Sequence, residues 1–193
     1  YNATIVTDED LDAADEARLD EVLGKTGYVS DSMRIMRANM VANAGGDEMH
    51  VQTVVPQDPA ALGDFVLMRT RVGHVSLELG QDGIVLAEKL ATELGVDAGD
   101  TVTLCEQDAM GNATGEAHEL VVTGVMENYI YNYVFMGPHA YEQAWGEEPA
   151  FDAVFAVSTT DADARARFGE ELRAIDGVKT VGFNDETIES YRT

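Results

Sequence analysis

Only one cysteine, Cys105, occurs in the 193 residues, so an internal disulfide is impossible and a cysteine-based metal centre is disfavoured. That excludes the small disulfide-stapled secreted folds. It does not exclude an extracytoplasmic location, because a chain of this length buries a core without staples. Lysine is nearly as scarce, present only as Lys25, Lys89 and Lys179, and no run of basic residues exists. Twelve basic residues stand against 36 acidic ones, a formal charge of −24. A surface that negative repels phosphate backbones, which rules against nucleic acid as a partner. It equally rules against docking on an anionic inner leaflet. No apolar stretch reaches the roughly 18–20 residues of a membrane span, and no signal peptide is present. The chain opens on Tyr1 without an initiator Met, so it reads either as a segment of a longer polypeptide, with any membrane segments outside it, or as a processed soluble protein.

Catalytic signatures are also missing. There is no G-x-S-x-G elbow, no P-loop and no H-E-x-x-H, and the glycines form no G-x-G-x-x-G cradle after a strand. His50, His74, His118 and His139 are scattered, with no pair at ligand spacing, and each reads as a surface or strand residue. The stretch Asp108–Glu116 is rich in oxygen side chains, but Met110 and Asn112 break the alternation a calcium loop needs, so it reads as a hairpin tip. Many carboxylates are available for acid–base work, yet nothing in the sequence selects a pair. No catalytic, cofactor-binding or metal-binding residue is therefore assigned, and no enzyme activity is expected.

What is present is a folding sequence: 45% of the residues are apolar. Thr7 and Asp10 read as a capping pattern ahead of Leu11, Ala14, Leu19, Val22 and Leu23, which predicts an amphipathic helix over about 8–24. Val29–Val41 and Met49–Val55 read as strands joined by the turn Asn43–Asp47, with Pro56 and Pro59 ending the pairing. Met33, Met36 and Met40 fall at spacings awkward for one strand face and read as ordinary core or edge residues. Leu86, Leu90 and Leu94 recur every four residues after Asp82-Gly83, predicting a short helix that ends at Gly95. A strand over Thr101–Cys105, a loose loop over Gln107–Gly115 and a return strand through Leu120, Val121, Val122 and Val125 follow.

Further on, a short helix is predicted near His139–Trp145 and a strand over Ala153–Val157. Thr160 and Asp163 repeat the capping pattern. Ala164, Phe168, Leu172 and Ile175 form an apolar stripe, with Arg165, Glu170, Glu171 and Arg173 facing away. A last strand covers Val178–Phe183. The order predicts an α+β protein of two lobes. Residues 1–64 and 128–193 would build a βαβ-type sheet-and-helix lobe, discontinuous in sequence, and residues 65–127 a small inserted β-rich lobe.

The run Asn128–Phe135 alternates with period two and sets Tyr129, Tyr131, Tyr133 and Phe135 on one face. Two readings apply: a strand whose tyrosines cover the junction between lobes, or a surface that contacts a partner, since tyrosine offers large area and a hydroxyl at little entropic cost.

Three stretches then carry a resemblance. Asp82–Leu104 reads DGIVLAEKLATELGVDAGDTVTL, Val121–Tyr129 reads VVTGVMENY, and Tyr141–Phe151 reads YEQAWGEEPAF. In this order they resemble the extracytoplasmic, MacB-like periplasmic core domain of FtsX/MacB-type ABC transporter permeases, although Asp152 stands where relatives often have Asn. The resemblance implies a non-catalytic two-lobed domain on the outer side of the cell membrane. Its implied partners are flanking transmembrane helices of the same polypeptide, a cytoplasmic ATPase subunit and an extracytoplasmic protein or peptide. The alternative is a stand-alone soluble binding module for peptide or glycan that uses the tyrosine face. A third reading is a hydrolase with two carboxylates in a cleft between the lobes.

Overall fold

The computed structural model describes residues 1–127 and 132–184. In chain order its elements are β1 (Ala3–Thr7), α1 (Ala13–Leu23), β2 (Val29–Ala44), β3 (Asp47–Pro56), a 3-10 turn (Pro59–Asp64), β4 (Ile84–Ala87) and α2 (Glu88–Leu94). There follow β5 (Thr101–Gln107), β6 (Ala113–Val121), β7 (Gly124–Met126), β8 (Tyr133–Met136), α3 (Pro138–Trp145), β9 (Ala153–Ser158), α4 (Ala162–Arg173) and β10 (Val178–Phe183). The chain is α+β, as expected. It packs as two compact units: Tyr1–Ile35 together with the chain from Ala150 onward, and Met36–Pro149. These limits fall at other residues than the lobes expected from sequence, 1–64 with 128–193 and 65–127. The difference arises because β3, β8 and β4 pair with one another, which gathers 47–56 and 133–136 with the middle of the chain.

The first unit is a β-α-β-β-α-β arrangement. Its strands lie in the order β10-β1-β9-β2, all antiparallel, with α1 after β1 and α4 after β9, the ferredoxin-like order. Ala3, Ile5, Val154 and Ala156 of the central strands pack with Leu19 and Val22 of α1 and with Phe168, Leu172 and Ile175 near α4, so the apolar stripes of both helices are covered. The stripe predicted for α4 is therefore borne out. Arg165, expected to face away, is buried instead. Its Nε donates to the Thr159 carbonyl at 3.1 Å and its guanidinium lies 4.4 Å over the Phe183 ring, which compensates the buried charge.

The helix predicted over 8–24 begins five residues later. Thr4–Thr7 is a β-branched run in a strand that pairs on both sides, and the Thr7 N–H donates to the Asp152 carbonyl at 2.8 Å, so Thr7 ends a strand and caps nothing. Asp12 is the cap, accepting from the Asp15 N–H at 2.8 Å. In α4 the same role falls to Asp161, which accepts from the Ala164 N–H at 2.9 Å, one residue from the predicted pattern.

The second unit carries strands in the order β6-β5-β2-β3-β8-β4-β7. β2 serves both units: Val29–Ile35 pairs with β9, and Met40–Asn43 pairs with β5. Met33, Met36 and Met40 are all buried, in agreement with the core reading. Leu86 lies in β4 and not in a helix, because Ile84–Ala87 is held between β8 and β7, and tertiary pairing overrides the leucine periodicity. Helix α2 then runs to Gly95, which takes φ 70° at the expected stop. The predicted return strand breaks after Val121. The Val122 N–H goes to Asp100 and the Thr123 N–H to Ile84, so the chain leaves β5 for β4.

Gly83, the first glycine of the Asp82–Leu104 stretch, has a steric role. A Cβ there would stand 1.6 Å from the Leu79 carbonyl oxygen, and the Gly83 carbonyl itself accepts the Gly137 N–H at 2.9 Å. Two backbones meet where no side chain fits.

Candidate contact surface

Exposed apolar side chains gather in one place. Among the described residues the exposed large hydrophobics are Leu67 (59%), Val72 (75%), Val75 (59%), Met110 and Val121. Three of these five lie on the arm that runs from Val66 to Glu78 in the second unit. The arm is a closed hairpin: the Leu77 N–H donates to the Met68 carbonyl and the Thr70 N–H to the Val75 carbonyl, each at 2.9 Å. The Thr70 hydroxyl donates to the Val72 carbonyl at 2.8 Å and accepts from the Val75 N–H at 3.0 Å, so the tip is tied across its own turn. Met68 and Leu79 are buried and root the arm in the unit. Sequence reading passed over Leu67, Val72 and Val75. The signal was Val-Gly-His-Val at 72–75, an apolar pair astride a glycine where turns are ordinarily polar.

Ion pairs fix the flanks of the arm. Arg69 Nε donates to Glu127 at 3.0 Å, and the Glu127 N–H donates back to the Arg69 carbonyl at 2.8 Å. His74, whose φ is 49°, brings Nδ1 to 3.9 Å from the same Glu127 carboxylate. Arg71 Nε reaches both carboxylate oxygens of Glu88 at 2.9 Å. Glu127 immediately precedes the tyrosine run. On its far side, the Asn132 carbonyl accepts the Gln52 N–H at 2.9 Å and fastens the chain to β3.

The four aromatic residues expected on one face divide. Tyr129 and Tyr131 lie outside the described residues. Tyr133 is half-buried on β8 and its ring lies 5.5 Å from that of Phe135. Phe135 is 1% exposed, held between β3 and β4, and offers no surface of its own.

The remaining histidines are engaged locally. His50 Nδ1 meets Gln107 at 3.2 Å, His139 bonds Asp82, and His118 lies against Trp145 with ring centres 4.1 Å apart. Trp145 in turn stacks on Tyr141 at 4.8 Å. Asp108 accepts from the N–H groups of Met110 and Asn112 at 2.9 Å, and Gly111 takes φ 84°, so this stretch closes on itself as the expected hairpin tip. No group of three or more His, Cys, Asp or Glu suited to a metal is found among the described residues. Burial, and then the Glu48 charge, push the Cys105 thiol above its ordinary pKa, which disfavours the nucleophilic thiolate. Asp12 and Asp15 do share a hydrogen bond, but they sit at the exposed start of α1 as a cap.

No protein-family model matches the sequence, and no curated protein matches it. Solved structures do. The chain is similar to the periplasmic region of MacB from Actinobacillus actinomycetemcomitans, with a TM-score of 0.54 and 12% identity, over 100% of this chain and 92% of that one. It is also similar to the extracellular domain of the noncanonic ABC-type transporter YknZ from Gram-positive bacteria, with a TM-score of 0.52 and 14% identity, over 94% and 98% of the two chains. At such identities the likeness speaks to architecture: this chain has the α+β fold of those two extracytoplasmic transporter domains.

Proposed function

We propose that this chain is the extracytoplasmic domain of an FtsX/MacB-type ABC transporter permease, and that it works by transmitting motion or by contacting a partner or substrate outside the membrane. The observation that carries the reading is the near-complete coverage of both solved transporter domains, which leaves little of either fold unaccounted for. The three ordered stretches between Asp82 and Phe151 point the same way. On this reading the partners are transmembrane helices of the same polypeptide and a cytoplasmic ATPase. Contact outside the membrane falls to the 66–78 arm and to Tyr129, Tyr131 and Tyr133 of the tyrosine run. The chemistry resides in the ATPase, and this domain contributes shape.

The test uses the full-length polypeptide. It is expected to purify only in detergent or lipid and to carry apolar spans beside this segment. Once reconstituted with the ATPase encoded beside it, it should alter the rate of nucleotide hydrolysis. A full-length product that stays in solution without detergent and leaves hydrolysis unchanged would overturn the proposal.

A further inference from the structure

The arm carries an inference about what it meets. Val72 and Val75 sit at its tip and Leu67 at its base, all more than half exposed, on a hairpin already closed by four hydrogen bonds. Ordering such a loop on contact costs little, because its conformation is set beforehand. Both of its arginines are occupied by carboxylates of the same unit, Arg69 by Glu127 and Arg71 by Glu88. Around it, Met36–Pro149 holds eighteen acidic residues against four basic ones, Arg37, Arg69, Arg71 and Lys89.

An apolar tip on so negative a body selects its occupant by charge. An anionic lipid surface is repelled by so negative a body, and the two arginines beside the tip, Arg69 and Arg71, are paired with Glu127 and Glu88 and so do not form the basic fringe with which membrane-docking arms surround their apolar tips. A second copy of the chain brings another formal −24 to the same contact. What remains is a surface with an apolar recess and a basic rim, attracted at long range and seated at short range. We infer that the 66–78 arm docks into an apolar recess, rimmed by lysine and arginine, on a partner protein. The inference deepens the contact role proposed above and rests on it.

The probe is a synthetic amphipathic helix of leucine and lysine, with a leucine and glutamate helix of the same pattern as control, titrated into the whole chain at 0.15 M salt. The lysine peptide is expected to bind and the glutamate peptide not to. Amide exchange is expected to slow within 66–78. Val72→Ser/Val75→Ser should weaken binding by about tenfold or more, since the apolar area is lost while the charge stays. Val121→Ser, which alters an exposed valine elsewhere, should change it by less than about twofold. Both variants are checked for an unchanged thermal midpoint; if the double variant melts early, the wild-type exchange footprint decides alone.

Four results overturn the inference: no binding of the lysine peptide, equal binding by the double variant, protection outside the arm, or binding to phosphatidylglycerol vesicles in its place. Val72-dependent dimerisation in sedimentation would replace the partner with a second copy and overturn it too. The hydrolysis and detergent tests above do not involve the arm, so a failure here leaves the transporter reading standing.

Discussion

The two units solve the problem of covering a sheet in different ways. In the first, two helices lie over one face of a four-stranded antiparallel sheet, and the core is built from a few large side chains on regular stripes. In the second, strand lengths range from three residues in β7 to ten in β3, parallel and antiparallel neighbours alternate across β3, β8, β4 and β7, and close backbone approaches at Gly83 and Gly137 add to the side-chain packing. Regular helix cover leaves little room for irregular loops, whereas the second unit projects an arm from its sheet. On the proposed reading, the second unit is therefore the part that presents a surface.

The largest effects should come from emptying either core. Phe168→Ala removes a fully buried ring from under α4, and Phe135→Ala removes one from β8. Each is expected to cost about 3–5 kcal/mol in urea unfolding. Trp145, the only tryptophan, sits on α3 in the second unit, so its fluorescence reports there, while amide exchange in α4 reports on the first. Phe135→Ala should move the fluorescence midpoint. If it changed only exchange in α4, the assignment of Phe135 to the second core would be wrong.

Gly83→Ala comes next and separates the two packing styles. The added methyl meets a backbone carbonyl that cannot swing away, so a loss of about 1–3 kcal/mol is expected. Gly95→Ala, with φ 70° but open space around it, should lose about 1 kcal/mol from conformation alone. Equal losses at the two sites would show that conformation, and not close approach, governs Gly83.

The contrast also explains what could be read ahead. The stripe Phe168, Leu172 and Ile175 was legible because one helix face meets one sheet, and a single period describes it. The Asp82–Leu94 stretch misled because Leu86, Leu90 and Leu94 are all buried at helical spacing although the first belongs to a strand, and only pairing with β7 and β8 decides it. Arg165 misled because charge predicts exposure, whereas an aromatic ring and a carbonyl supplied by other elements bury it. Of the expected contact face, Tyr133 is half-exposed, but Phe135 is core because β8 is covered by neighbours on both edges. The arm tip escaped notice altogether. An apolar pair in a turn carries no period, so nothing in the sequence marks it except its misfit with turn chemistry.

A finer test concerns the caps. Asp161→Ala should destabilise α4 by about 1 kcal/mol, whereas Thr160→Ala and Asp163→Ala should change it by no more than a few tenths, within about half a kcal/mol of zero. Amide exchange at the start of α4 reads the difference. The reverse ranking would restore the Thr160 cap that the sequence suggested.

The smallest effect lies at the surface of the first unit and distinguishes the two units by pH. There the Glu171 carboxylate takes hydrogen bonds from Lys25 and then Tyr28, which hold its pKa below the ordinary 4.5, and the bond that Lys25 donates to Glu171 lifts Lys25 above 10.5. Because the folded carboxylate binds its proton at lower pH than the unfolded one, its contribution is complete above about pH 4.5 and disappears as pH falls through the depressed folded value. Lys25 behaves inversely: its share is complete below 10.5 and is lost as pH rises through the raised value. Asp15 opposes Glu171 in acid. Desolvation first, then the charges of Asp12 and Asp176, raise its pKa, so protonation there adds stability. Lys25 is exposed and Asp15 and Glu171 are half-exposed, so the differences are small and salt-sensitive. Glu171→Gln removes one term cleanly. The gap between wild type and Glu171→Gln in α4 amide exchange should be open at pH 6 and close as the pH is lowered past 4.5, while Trp145 fluorescence tracks no such difference. A gap that stays constant from pH 6 to pH 3 would mean that Lys25 and Glu171 are neighbours without being an ion pair.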